Sequence, residues 1–262
     1  MKYLHIVSIG LRERFAYRIR FFANMFGAVL NLVVLWFVWN SIYAASGAES
    51  INGFTLPVML TYVVVSTFIW PLTFSDIEFI FQDDVLSGSI CTDMTKPVSY
   101  PLFRTFKAFS NVLMNLLTNS LPIFLVAIFL LNIAMPVNPL AFIITLALGF
   151  LVDYLLSFLT GMWVFWSSGR VWGIRLSRQI ISQILSGALI PLYFFPNWLA
   201  EITSFLPFQT FFHIPISIYL GKITGIDIIY SIGIQLFWIG LLGLICYLVW
   251  KKAERKVIVH GG

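Results

Sequence analysis

From Ala108 to Val152 the chain carries no charged or titratable side chain, and this one tract excludes most folds open to a chain of its length. A soluble domain needs polar residues on the outer face of each element, whereas a helix in hydrocarbon needs none. At ~20 residues per crossing of a ~30 Å hydrocarbon layer, the tract holds two helices. It must turn between them. Asn132 and the segment Met135-Pro136-Val137-Asn138-Pro139 supply the turn, because prolines without amide protons interrupt a helix. The predicted crossings are 110–131 and 140–166.

Other charge-poor runs add a first crossing at 21–45, a second at 56–75, a fifth at 179–195 and a sixth at 228–250. The expectation is an all-α integral membrane protein, with residues 1–262 forming one six-helix transmembrane domain. Composition agrees: 60% of residues are hydrophobic and only 10% charged, against roughly 25% charged in soluble domains. A sizeable soluble catalytic domain and an extended disordered region are both excluded. The first run is longer than a signal-peptide core and reads as a permanent span. Cys91 and Cys246 imply no disulfide framework.

Ile202–Gly221 is apolar enough for a seventh crossing, but it contains Pro207 and Pro215 and follows Glu201. Charge decides between the counts. With six crossings and an inner N-terminus, fifteen of the sixteen Lys and Arg lie inside and only Lys222 lies outside. A seventh crossing would change the ratio to twelve against four, a poorer fit to the positive-inside rule. Residues 196–225 are therefore expected to form a broken, re-entrant outer hairpin, and both termini are expected in the cytoplasm.

Residues 1–20 place Tyr3, Val7, Leu11, Phe15 and Ile19 on one i, i+4 row, with Arg12, Arg14, Arg18 and Arg20 available for the other side. This suits an amphipathic helix on the inner leaflet, although the same arginines also serve as a plain topology signal. The loop at 76–107 departs from the inner-side pattern, with five acids (Asp76, Glu78, Asp83, Asp84, Asp93) and three bases (Lys96, Arg104, Lys107). Its piece from Phe81 to Ile90 predicts a short helix ended near Gly88, with Asp83 and Asp84 at the helix start and Val85, Leu86 and Ile90 as apolar contacts. Such a peg suits insertion into a soluble partner. The alternative is a solvated loop whose acids cap neighbouring helices.

Asp153 is the one acid well inside an apolar run. Two readings stand: part of a polar transport path, or a packing group that bonds a neighbouring helix or pairs with an arginine of the 167–178 loop. His213 has no second ligand at metal spacing and reads as a satisfied polar group. Gly233, Gly240 and Gly243 allow close helix contact. Trp36, Trp39, Trp163, Trp166 and Trp250 read as interface anchors. No phosphate-cradling GxxxxGK[ST], HExxH or Ser-His-Asp arrangement is present, so the chain is not expected to hydrolyse ATP by itself.

The order of these features resembles an ABC-2 type transporter permease. Two stretches carry the resemblance: Leu86-Ser87-Gly88-Ser89-Ile90 leading to Lys96-Pro97-Val98-Ser99, and Ser186-Gly187-Ala188-Leu189-Ile190-Pro191 through Pro196-Asn197-Trp198, followed by Leu206-Pro207-Phe208. The chain is most similar to short permeases that occur as two different copies beside one ATPase and are associated with drug and antibiotic export. It departs from them in the polar run from Ser87 to Thr95, where related chains carry Leu-rich residues.

The resemblance implies a permease that moves a hydrophobic or amphipathic small molecule outward across the cell membrane. It implies ABC ATPase subunits as partners, a second permease (a different paralogue or another copy of this chain), a lipid bilayer and no nucleic acid. No cofactor would bind the chain itself; ATP and Mg would sit on the partner ATPase. Asp83, Asp84, Val85, Leu86, Gly88 and Ile90 would form the ATPase-coupling peg. The runner-up within the family is a polysaccharide or lipid-linked glycan permease. An autonomous ion-coupled transporter or channel using Asp153 would call for inverted repeats and several intramembrane ionisable groups, and a lipid enzyme for a cluster of His, Asp, Ser or Cys. The sequence displays neither pattern.

Overall fold

The structure is a computed structural model that describes residues 18–73, 76–95, 97, 99–131, 133–167 and 171–261. The expected amphipathic helix at 1–20 lies almost wholly outside them. The first helix, α1 (Arg18–Ser46), leads through a two-stranded antiparallel hairpin, β1 (Ser50–Ile51) and β2 (Phe54–Thr55), into α2 (Leu56–Thr73). The peg follows as α3 (Ile77–Leu86) and α4 (Ser89–Met94). A long rod comes next: α5 (Tyr100–Asn115), a π-helical segment (Leu116–Ser120) and α6 (Leu121–Leu131). Helix α7 (Pro139–Gly161) returns and ends in a 3-10 turn (Met162–Phe165). The remaining elements are α8 (Trp172–Leu185), the short helices α9 (Asn197–Ser204) and α10 (His213–Tyr219), and the terminal α11 (Ile226–Gly261).

Among the described residues, five stretches are long and apolar enough to cross a bilayer: Phe26–Ser46, Leu56–Leu86, Tyr100–Ile128, Pro139–Phe165 and Ile226–Lys256. Large apolar side chains on their outer faces, such as Phe37, Leu140, Ile143 and Phe237, are exposed in the chain alone, as expected where hydrocarbon rather than water is the solvent. The predicted turn between the third and fourth crossings falls in place. Asn138 caps α7 by accepting from the Ala141 amide (3.1 Å), and Pro139 occupies the first turn, where no amide donor is required.

Three expectations are corrected. The fifth crossing at 179–195 is not one helix: α8 begins earlier, ends at Leu185, and gives way to a turn at Gly187 and a 3-10 turn at Leu192–Phe194. Trp39 and Trp250 are buried rather than interfacial, Trp250 stacking on Tyr100 at 5.2 Å. A Cβ added at Gly233, Gly240 or Gly243 meets nothing within 4 Å, so these glycines mediate no close helix contact within the described residues of this chain.

The core has two halves. One joins Met59, Tyr62 and Ile69 of α2 to Phe142 and Val152 of α7 and to Ile214, Ile216 and Tyr219 of α10. The other gathers Phe81, Ile90, Tyr100, Phe158, Met162 and Trp250 around the peg. Between α8 and α11 the chain breaks into turns, several of whose carbonyls accept from side chains of the long helices. Tyr62 Oη donates to the Gly187 carbonyl and Ser66 Oγ to that of Ala188 (2.7 Å). Buried Gln235 of α11 donates to the carbonyls of Thr145 (2.8 Å) and Thr210 (2.7 Å), pinning the 3-10 turn Pro207–Thr210 against α7. No helix within 196–225 has a spanning length; the longest piece is α9.

This pinning makes Gln235 a stability determinant. Gln235→Leu leaves two carbonyls without their side-chain donor at a cost of about 1–2 kcal/mol. The expected outcome is a lower apparent melting temperature of the solubilised protein; melting identical to the wild type would remove Gln235 from that role.

Candidate functional site

The peg is built on one face of α3. Ile77, Glu78, Phe81 and Asp84, at helical spacing, are all buried; Glu78 and Phe81 lie against the end of α7, and Asp84 turns toward α5. Contact is close because Gly161 has no side chain: a Cβ there would come within 2.6 Å of Phe81 Cδ2 and 3.2 Å of Glu78 Cα. Phe81 also packs edge-on against Phe158 (5.0 Å). Gly88, with φ +73°, then reverses the chain into α4, a conformation that a side chain disfavours.

Two groups of charges fasten this unit. In the first, Arg178 of α8 meets Glu78 of α3 (Nη2 to Oε1, 2.8 Å) and Asp153 of α7 (Nη1 to Oδ1, 3.2 Å). Arg175, one turn earlier, reaches Asp76 (3.4 Å) and the second oxygen of Glu78 (3.8 Å), and its guanidinium lies over Phe79 (4.2 Å). Thr160 donates to Glu78 Oε1 (3.3 Å), and the Val171 amide donates to Gln82 (3.0 Å). Glu78 is fully buried. Three carboxylates and two guanidiniums thereby join three elements far apart in sequence. A cavity of about 40 Å³ beside Asp153, Arg178, Ser182 and Gln183 leaves room for about one water molecule.

In the second group, Arg104 of α5 pairs with Asp84 and with Asp93 (3.0 Å), while Tyr100 Oη and Ser89 Oγ donate to Asp84. Tyr100 stacks between Phe81 and Trp250. The peg is thus tied to α5 and α11 as well as to α7 and α8.

The predicted site residues divide accordingly. Asp83, Leu86 and Gly88 are exposed at the tip, Leu86 at 63%, and Val85 is half-buried. Asp84 and Ile90 (3% exposed) are buried and face inward. The placement of Asp83 and Asp84 at a helix start is corrected: α3 begins at Ile77, so both acids fall in its last turn. Acids are disfavoured there by the helix dipole, and the Arg104 guanidinium offsets the charge of Asp84. Asp153 pairs with Arg178, an arginine of the 167–178 segment. Sequence reasoning missed Glu78, Arg104, Arg178 and Tyr100. The available signal was the i, i+3 pair Arg175 and Arg178, which share one helix face. His213 packs against the Tyr193 ring (5.0 Å), and no metal-holding group of three His, Cys, Asp or Glu occurs among the described residues.

Next to the first charge group lies a larger cavity of about 910 Å³ between α1, α2, the π segment and the end of α8. Its wall includes Asn31, Ser66, Thr67, Asn115, Asn119 and Gln183, and Asp76 sits at its peg end. Gln183 lines both cavities.

Comparison with known families finds a match to the family described as ABC-2 family transporter protein over residues 29–261. No curated protein matches the chain.

Arg178 is the common member of the first charge group, so its loss leaves Glu78 and Asp153 buried with their main counter-charge gone. Arg178→Gln is expected to destabilise by on the order of 3 kcal/mol, and Asp153→Asn in the same chain to restore part of the loss, because it removes one uncompensated charge. Thermal unfolding of the single and double variants checks this. Additive losses in the double variant would deny the coupling.

Proposed function

The chain belongs to the ABC-2 transporter family, and from that membership we propose that it is the membrane permease half of an ATP-driven exporter, joined to separate ATPase subunits and to a second permease. The observation that carries this reading is the peg: a two-helix unit with Leu86 exposed at its tip and a base bonded to three of the bundle's helices, α5, α7 and α8. A solvated loop does not require that anchorage. A lever that accepts force from a partner does.

In this reading the tip, chiefly Leu86 with Asp83 beside it, enters a cleft of the ATPase. Closure of the ATPase pair around ATP and Mg displaces the peg as a unit, since Gly161 and Phe81 leave no slack between α3 and α7. Glu78 and Arg178 then carry the movement to α8, which borders both cavities. Such a two-state element is biased by nucleotide on one side and by cargo on the other. The cargo is a hydrophobic or amphipathic small molecule of the drug or antibiotic type.

The topology that fits is six crossings with both ends cytoplasmic. Arg178 bonds the peg base, whereas the Tyr193 carbonyl accepts from Asn52 in the β-hairpin at the opposite end of α2 (3.4 Å). Residues 178–193 therefore run the length of the bundle, and they supply the fifth crossing as a helix followed by turns. The segment 196–225 then forms the outer re-entrant hairpin, held by Lys222, whose ammonium donates to the Gly53 carbonyl (3.1 Å) and lies over Phe54 (4.0 Å).

Leu86→Asp should abolish co-purification with the ATPase while leaving melting unchanged, since the side chain is exposed and apolar contacts supply most interface affinity. Ile90→Asp should act instead through folding, because Ile90 is buried. Asp83→Asn should weaken assembly gently and in a salt-dependent way. A Leu86→Asp chain that retains its ATPase would refute the peg.

The topology has its own check. A cysteine at Lys252, exposed beside the fully buried Ala253, should resist labelling by an impermeant maleimide from outside intact cells. Ready labelling would overturn the six-crossing topology.

A further inference from the structure

The large cavity has a chemistry that neither the peg nor the ion pairs use. Three backbone irregularities meet at its wall: Pro71 inside α2, the π segment Leu116–Ser120, and the end of α8 before Gly187. Irregular backbone at membrane depth persists where it is buried in protein or lines a cavity that satisfies it, and π segments recur at functional sites. Here the π segment and the residue before it turn Asn115, Thr118 and Asn119 toward the same space as Ser66 and Thr67 of α2.

The hydrogen-bond inventory of that wall is uneven. Asn115 Nδ2 donates to the Pro71 carbonyl (2.9 Å), which can only accept, so the orientation of the Asn115 amide is fixed. Its Oδ1 therefore faces Asn119, whose Nδ2 points toward it at 3.5 Å. That leaves Asn119 Oδ1 as a buried acceptor with no donor among the described residues. Pro71 has no amide proton, so the Thr67 carbonyl one turn earlier lacks its regular helical donor. The hydroxyls of Thr67 and Thr118 are themselves committed to carbonyls of their own helices (2.9 and 2.7 Å). The wall therefore combines a buried acceptor at Asn119 with the side-chain amides of Asn31 and Gln183, which supply donors of their own.

Charge narrows the ligand further. Among the described residues neither Lys nor Arg lines the cavity, and the acid in its lining, Asp76, is paired with Arg175 (3.4 Å). A charged headgroup would find no counter-ion among these residues, where unpaired charge is expensive. At about 910 Å³ the space matches a drug-sized molecule, and Leu35, Val63, Met114, Ile123 and Leu189 give it apolar walls.

We infer that this cavity is a binding chamber, contained within one copy of the chain, for an uncharged amphiphile that donates a hydrogen bond to Asn119. Its part in export rests on the permease reading; its occupancy does not.

The test uses the full-length chain with its co-purifying subunits in phosphatidylcholine nanodiscs. The probe is dodecanol bearing a photoactivatable diazirine, compared with its methyl ether, which has the same shape but no donor, and with sulfate and trimethylammonium counterparts. The alcohol should label segments 66–71 and 114–119 above the background set by lipid-facing Phe237. The ether should label them about fivefold less, the factor for one net hydrogen bond, and the charged forms less still. Asn119→Leu should bring the alcohol down to the level of the ether.

Gly27→Phe guards against misfolding. A Cβ at this cavity-lining position meets nothing within 4 Å among the described residues, so the backbone tolerates a side chain there; labelling should fall to background while melting is retained. Equal labelling by alcohol and ether, or labelling insensitive to both variants, would overturn the chamber. Loss of label during ATP turnover marks the occupant as cargo and an unchanged label marks it as a resident lipid, and either result supports the site. Because the labelling needs no ATPase, failure of the chamber and failure of the permease reading are separately visible.

Discussion

Arg178 is the residue on which the arrangement of the peg depends. It comes from the first turns of α8 and bonds Asp153 in α7 and Glu78 in α3, with all three side chains largely removed from solvent. An isolated charge in such a place is costly, and a carboxylate without its partner equally so. Each member therefore restricts where the others can be. A buried pair is weak evidence for net stability, but it is strong evidence for a fixed geometry, because the states in which one member is unpaired are expensive. The close contact at Gly161 adds a steric constraint to the electrostatic one.

The second charge group works on the other side of the same unit. Arg104, Asp84, Asp93 and Tyr100 connect the last turn of α3 and all of α4 to α5, and Trp250 of α11 closes over Tyr100. The peg is consequently held at both ends while its tip stays free. Four of the five acids in the 76–107 loop are paired within the chain, with Arg104, Arg175 and Arg178 as partners. The acidity that looked like an advertisement for a partner is chiefly internal, and among the described residues Asp83 and Leu86 remain exposed at the tip to meet one.

At the opposite end the problem is the backbone rather than charge. The connection after α8 and the hairpin before α11 leave carbonyls that no regular helix satisfies. Tyr62, Ser66 and Gln235 donate to them from within the long helices. The irregular segments are therefore part of the packed bundle and not an appendage. The cavity borders this region and the peg network alike, with Gln183 in the wall of each cavity.

The membrane class, the long helices and the turn before α7 were legible in the sequence because each follows from local quantities: charge-free length, proline position and the ~20-residue span. The break near Gly88 and the broken character of 196–225 were legible for the same reason. Pairing was not. Whether Asp84 faces a partner or Arg104, and whether Ile90 is a contact or a core residue, depends on which face of a short helix meets α7, and residues tens of positions away in sequence decide that. The fifth crossing misled because apolar composition from Gln179 to Phe195 suits a helix, while the tertiary carbonyl acceptors at Gly187 and Ala188 make a turn equally well satisfied. The cavity is the clearest case of tertiary origin: Asn115, Asn119, Ser66 and Gln183 are ordinary polar residues in their own helices, and only the packing of four elements turns them toward one space. Sequence sets what each segment tolerates, because burial and hydrogen bonding act residue by residue. Tertiary structure sets which groups meet, because a desolvated charge or carbonyl is satisfied only by the partner that the fold brings to it.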